Sequence, residues 1–234
     1  MRKMSAATLA DRLEEVEERL ARACQKAGRR REDVLLLAVS KVFPAEAIEE
    51  AHALGLREFG ENYVQEFEAK APQVKNLPGA RFHFIGHLQS NKSRRATGLF
   101  DVVQTVDTPK LARRLHESLN EESAAKSLDI FLEVKLSEEE SKHGCAPQDL
   151  PALIDAVRAL PNLRLRGLMT MPPWNEDPET ARPYFQRLHQ LAEQHQLTEL
   201  SMGMSNDLEV AVEEGSTLVR IGTALFGSRK PYLQ

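Results

Sequence analysis

Cysteine is nearly absent from this chain: its 234 residues include two, Cys24 and Cys145. They lie far apart and form no CxxC or Cys/His spacing, so neither a disulfide framework nor a zinc site is indicated, and no metal is expected. A reduced, cytoplasmic setting is the expectation. Apolar residues never run to the roughly 18 of a membrane span. Met1-Arg2-Lys3 resembles the start of a signal segment, but Asp11, Glu14 and Glu15 arrive where an apolar core belongs. An excess of one charge is lacking too. Lys and Arg number 31 against 35 Asp and Glu, a formal charge of -4, which does not advertise nucleic acid as a partner.

What is present is a rhythm. Leu9, Leu13, Val16, Leu20 and Cys24 recur at helical steps, predicting an N-terminal helix within residues 1–28 that packs on the body of the protein. The basic run Arg29-Arg30-Arg31 after it reads as a solvated turn. From there strand-like runs alternate with helical ones every 20 to 30 residues or so. The strands are read at 34–41, 57–60, 82–86, 101–106, 129–134, 163–171, 200–204 and 217–221. In the helices between them Ile48, Ala51 and Leu54 point inward, Pro109 follows a cap residue, and Pro183 falls in a first turn or a kink. Eight such units at this length predict a single-domain (β/α)8 TIM-type barrel over residues 33–229, with the N-terminal helix as an extra.

Residues 34–41, VLLLAVSK, show an uninterrupted apolar run that stops at a serine and a lysine. The run reads as a buried parallel strand, which puts Lys41 at its C-terminal end, where α/β proteins bind ligands. Lys41 is therefore either the first solvated residue after a strand or an amine whose pKa a hydrophobic wall lowers for attack on a carbonyl. In a barrel every strand's C-terminal end faces one mouth, so Lys41, Asn62, Ser205, Arg220 and Thr223 are expected to meet there. Ser205-Asn206-Asp207 and Gly222-Thr223-Ala224 stand where the last two strands turn into helices. Each alone reads as ordinary capping by Ser205 and a tight turn at Gly222. Together, after strands seven and eight of a barrel, they point to a phosphate site built from hydroxyls and helix N-terminal amides.

The stretches AVSK, FGENYVQE, FHFIGHLQSNK, ESKHG, RGLMTM and SMGMSNDLEVAVEEGSTLVRIGTALFG resemble the pyridoxal phosphate homeostasis proteins, a pyridoxal-phosphate-binding family with an alanine-racemase-type barrel. The likeness runs from the first strand to Arg229. It implies Lys41 as the residue that holds pyridoxal 5'-phosphate as an aldimine, phosphate binding by Ser205, Gly222 and Thr223, Arg220 against the pyridine nitrogen, Asn62 near the ring, and Asn206 as a further cofactor-binding residue. Met204 and Met169 are expected to wall the pocket. Where several relatives carry a second lysine two positions on, this chain has Val42-Phe43.

The resemblance further implies a carrier that buffers or delivers the cofactor in vitamin B6 homeostasis, with apo pyridoxal-phosphate enzymes as recipients and no catalytic residue of its own. The alternatives are a pyridoxal-phosphate-dependent amino-acid racemase, and a Schiff-base aldolase acting on a phosphorylated sugar. A racemase of this fold draws a tyrosine base from a second domain. With only Tyr63, Tyr184 and Tyr232, and an end at Gln234, none is expected here, and a monomer is. Lys92, Arg94 and Arg95 read as an exposed helix face, Lys142 and His143 as a solvated loop, and His83 as a residue in or beside the barrel.

Overall fold

The computed structural model describes residues 7–122, 126–139 and 142–227. The first six residues, Ser141 of the polar loop, and Ser228, Arg229 and Tyr232 lie outside them. Eight parallel strands close in sequence order into a barrel: β1 (Leu35–Val39), β2 (Glu58–Glu61), β3 (Arg81–Phe84), β4 (Val102–Val106), β5 (Leu128–Glu133), β6 (Leu163–Met169), β7 (Glu199–Met204) and β8 (Leu218–Ile221). The ring closes through β1 and β8, with Leu36 opposite Val219 and Leu37 opposite Arg220. Helices α2 (Ala45–Ala53), α3 (Val64–Val74), α4 (Ser93–Leu99), α5 (Pro109–Glu122), α6 (Leu150–Arg158), α7 (Arg182–Gln194), α8 (Leu208–Glu213) and α9 (Thr223–Phe226) follow the strands in turn. This is the predicted barrel.

Alternation along each strand divides the side chains between two cores. Outward residues such as Leu36, Ala38, Phe59, Phe82, Phe84 and Val219 join the apolar faces of the helices in one large cluster. Inward residues form smaller apolar groups, Leu37 with Val39 and Ile85, and Val102 with Phe131 and Met169. Polar side chains fill the rest of the interior.

The N-terminal helix, α1 (Leu9–Lys26), starts at a capping box in which Thr8 and Asp11 satisfy each other's amides. It buries Leu9, Val16, Leu20, Ala23 and Cys24, against α8 and α9. The basic run that follows it departs from a solvated turn. Arg29 donates to the carbonyls of Val212 and Ser216 at 3.0 and 2.7 Å, and Arg31 grips Glu17 at 2.7 and 2.8 Å, so two of the three arginines fasten α1 to the barrel. Arg30 alone is exposed, and it pairs with Asp33.

Leu54 also departs from its expected inward place. α2 ends at Ala53, and Leu54, as the capping residue, is 40% exposed. Pro183 sits in the first turn of α7, where its missing N–H breaks no helical bond. Thr108 caps α5 by accepting the Leu111 amide, and Pro109 opens that helix. Among the described residues no helix is long and apolar enough to cross a membrane, and no group of three or more His, Cys, Asp or Glu is placed to hold a metal ion.

Candidate functional site

A cavity of about 610 Å³ opens at the C-terminal ends of the strands. Lys41, Asn62, Met204, Ser205, Asn206, Arg220, Gly222 and Thr223 all line it, although they span 182 positions of sequence. The common direction of the strands brings them together, as a barrel requires. Met169 is not among them. It is fully buried one layer deeper, packed with Val102 and Phe131, and Met171, two residues on, lines the cavity instead.

Lys41 occupies the turn that leaves β1. The Phe43 amide closes this turn on the Ser40 carbonyl at 3.1 Å, and Val42, its third residue, has a φ of 64°. On the far side Asn62 follows β2. Its backbone lies so close to Gly86 that a Cβ there would stand 2.2 Å from the Asn62 carbonyl oxygen, so only glycine permits this approach. The Asn62 side-chain Oδ1 is buried and finds no partner among the described residues.

The two last strands build the side of the cavity that carries Ser205 and Thr223. Gly203, at a φ of 95°, swings β7 into Met204 and Ser205, and a Cβ on it would meet Ala211 at 2.4 Å. Ser205 Oγ accepts the Ala224 amide at 3.2 Å, which ties the turn after β7 to the first turn of α9. The Asp207 carboxylate accepts the Met204 amide at 2.5 Å. Burial raises its pKa, opposed by that hydrogen bond and by the nearby Arg220 charge. The Asn206 amide donates to the Asn175 carbonyl at 3.0 Å, joining the same turn to the loop after β6, which carries Pro173 and Trp174 along the cavity.

α1 braces this side from behind. Arg19 forms a bidentate pair with Glu209 at 2.7 and 2.8 Å and donates to the Ser205 carbonyl at 3.0 Å, while Arg12 reaches the Leu225 carbonyl at 2.6 Å. The N-terminal helix therefore holds both the turn after β7 and α9, which follows β8. Nothing local in the sequence signals this role, because Arg19 and Ser205 are 186 positions apart.

Arg220 points into the barrel and is 3% exposed. Its Nη2 donates to the Thr170 carbonyl at 2.9 Å and its Nη1 to Ser201 Oγ at 2.7 Å. Ser201 passes its hydrogen to Gln104 Oε1 at 2.6 Å, Gln104 Nε2 lies 2.8 Å from His83 Nδ1, and His83 Nε2 lies 2.6 Å from the Glu58 carboxylate. A carboxylate only accepts, so His83 carries its hydrogen on Nε2 and takes the Gln104 amide on Nδ1. A continuous polar chain thus crosses the barrel from Glu58 to Arg220. Burial pushes the Arg220 pKa down to about 10, with Asp207 and Glu133 opposing the shift, so the guanidinium stays charged at neutral pH. Glu133 is pushed up to about 7 by burial and by Asp107, against the pull of Arg220 and Lys142.

The remaining candidates stand apart. His83 is the buried link just described. His87 stacks on His143 with ring centroids 3.8 Å apart, a pairing between exposed loops that spacing does not reveal. Arg94 and Arg95 are exposed and face Glu121 and Glu68 at 3.7 and 3.4 Å, as a solvated helix face would; Lys92 lies just before that helix.

The arrangement offers a primary amine, a fixed buried cation, an orphaned amide oxygen and two hydroxyl-bearing turns around one cavity. That set fits pyridoxal phosphate, a ring with an aldehyde at one edge, a phosphate at another and hydrogen-bonding atoms between. The Asn62 oxygen, buried and without a partner among the described residues, is available to a hydrogen-bonding atom of such a ring.

Comparison with known proteins agrees. The family described as "Alanine racemase, N-terminal domain" matches residues 12–230. The pyridoxal phosphate homeostasis protein of Pseudomonas aeruginosa is 50% identical over 95% of this chain and 96% of its own, and that of Aquifex aeolicus is 42% identical over 94% and 98%. Among solved structures, PipY of Synechococcus elongatus PCC7942 with PLP bound is 39% identical, with a TM-score of 0.81 over 94% of this chain and 100% of that one.

Proposed function

The chain belongs to the pyridoxal phosphate homeostasis proteins, within the alanine racemase N-terminal domain family, and from that premise we propose that it binds pyridoxal 5'-phosphate reversibly through Lys41 and buffers or delivers it. The observation that carries this reading is the meeting of Lys41, Arg220 and the turns at Ser205 and Gly222-Thr223 on one cavity. When bound, the cofactor supplies an aldehyde that primary amines join reversibly with loss of one water.

The protein's own residues divide the task. Lys41 Nζ is the amine that holds the cofactor and is displaced when another amine arrives. Ser205 Oγ, Thr223 and the backbone of the adjoining turns hold the phosphate at the positive end of α9. Asn62 fixes the ring edge. Arg220 would stand toward the ring nitrogen, where a guanidinium donates and does not accept a proton, which would leave the ring a weak electron sink. Met171 and Trp174 limit the access of water.

Weak electron withdrawal favours holding over turnover. A cytoplasmic monomer that passes its cofactor to apo-enzymes completes the proposal. The direct test is the absorption spectrum of purified protein given pyridoxal phosphate. A visible band that borohydride removes and that Lys41→Ala lacks is expected, and a protein that takes up none overturns the reading. Incubation with single-enantiomer amino acids separates a carrier from a racemase, since a racemase shows sustained loss of optical rotation.

A further inference from the structure

The turn that presents Lys41 is strained, and the strain has an identifiable keeper. Ser40, Lys41, Val42 and Phe43 form a four-residue turn closed by the Phe43 amide on the Ser40 carbonyl, and its third residue has a φ of 64°. A turn with a positive φ at that position selects glycine or asparagine. Val42 is β-branched, for which the left-handed region is a true outlier. Something outside the turn must impose this conformation, because the residue does not choose it.

The imposing group is on α3. The Glu66 carboxylate accepts the Val42 amide at 2.6 Å and also receives Lys70 Nζ at 2.6 Å, one helical turn on. The same Lys70 ammonium, 8% exposed as a residue, donates to the Ser40 carbonyl at 3.1 Å and to Glu61 Oε1 at 2.9 Å. Ser40 Oγ donates to that Glu61 oxygen at 2.8 Å. Every one of these contacts lands on a residue flanking Lys41 or on a group that touches one. Glu61 is fully buried, and its second carboxylate oxygen has no partner among the described residues. The Glu66-before-Lys70 order is the favourable orientation for an i, i+4 ion pair.

The geometry points to Glu66 and Lys70 as positioning residues for the cofactor-holding lysine: Glu66 locks Val42 in the left-handed region, Lys70 pins the Ser40 carbonyl and both carboxylates, and the locked turn aims Lys41 into the cavity. This rests on the reading of Lys41 as the anchor. Neither residue lines the cavity, so their effect passes through the backbone of the turn.

A double-mutant cycle tests it. Glu66→Ala is expected to weaken pyridoxal phosphate binding and slow its borohydride-fixed capture on Lys41 by roughly tenfold. Val42→Gly supplies a residue that holds a positive φ unaided. In that background the same Glu66→Ala change is expected to cost less than about threefold, because the conformation no longer needs its keeper. Glu66→Gln retains a carbonyl oxygen for the Val42 amide and is expected to recover most of the loss.

A second readout omits the cofactor. The rate of Lys41 reductive methylation by formaldehyde and cyanoborohydride, followed by peptide mass, should change in Glu66→Ala and return toward wild type when Val42→Gly is added. An equal Glu66→Ala cost in both backgrounds, or wild-type capture by Glu66→Ala, overturns the proposal. If Glu66→Ala does not fold, Lys70→Met replaces it in the cycle with the same expectations. Lys41→Ala separates the two failures: capture that survives it removes the anchor reading, whereas capture lost there without coupling in the cycle removes only the positioning role.

Discussion

Arg220 Nη1 stands 2.7 Å from Ser201 Oγ, and that hydroxyl joins the cavity's buried cation to a polar chain that runs through Gln104 and His83 to Glu58 on β2. The serine both accepts from the guanidinium and donates to Gln104, so its single hydrogen sets the direction of the whole chain. Arg220 is thereby held in one orientation before any ligand arrives. Such preorganisation suits a site that must bind and release one molecule repeatedly without rearranging.

Replacing Ser201 by alanine removes both bonds and leaves Arg220 Nη1 and Gln104 Oε1 buried without partners. A loss of about 1–3 kcal/mol in stability is expected, read from urea unfolding, together with weaker pyridoxal phosphate binding. Unchanged affinity would show that Arg220 needs no support from the chain.

Glu133 supplies a pH test. Its folded pKa is raised to about 7, whereas an unfolded carboxyl titrates near its ordinary value. Between those values the unfolded chain releases the proton and the folded one keeps it. Stability from this group is therefore full below the unfolded pKa and lost as pH rises to about 7. Glu133→Gln should be the more stable protein at pH 8, by on the order of 2 kcal/mol, with the difference shrinking toward pH 4. Parallel thermal denaturation across that range measures it, and a pH-independent difference would contradict the assignment.

Arg19 tests the brace behind the Ser205 turn. Arg19→Ala deletes a half-buried bidentate pair and the bond to the Ser205 carbonyl. About 1 kcal/mol of stability should be lost. Affinity for pyridoxal phosphate should fall more than affinity for pyridoxal, because the displaced turn carries Ser205, proposed above to hold the phosphate. Equal losses for both ligands would mean the turn had not moved.

Trp174, the only tryptophan, is 71% exposed on the cavity wall. Pyridoxal phosphate should quench its emission, with a saturation curve matching that of the absorption change. Trp174→Phe should bind the cofactor and lose the signal. Emission that ignores the cofactor would place the ligand elsewhere.

The alternation of apolar runs and helical stripes was enough to predict eight strands, eight following helices and the residues at the strand ends, because burial on two faces writes a continuous apolar run and burial on one writes a stripe. It conveyed direction but not depth. Met169 and Met171 lie on the same face of one strand path, and only the packing against Val102 and Phe131 decides that the first is core and the second is wall. Leu54 shows the same limit at a helix end, where one residue past the last turn suffices to turn a side chain outward.

Lys41, Arg220 and the turns at Ser205 and Gly222 were legible as chemistry before their meeting could be known. What tertiary structure alone decided is the support behind them: Arg19 under Ser205, Ser201 and Gln104 behind Arg220, and Glu66 with Lys70 beneath the Lys41 turn. These residues lie on helices and strands where charged or polar types are ordinary. Their partners are separated from them by between 19 and 186 positions, and no local pattern records which carbonyl or amide a long side chain will reach once the barrel closes.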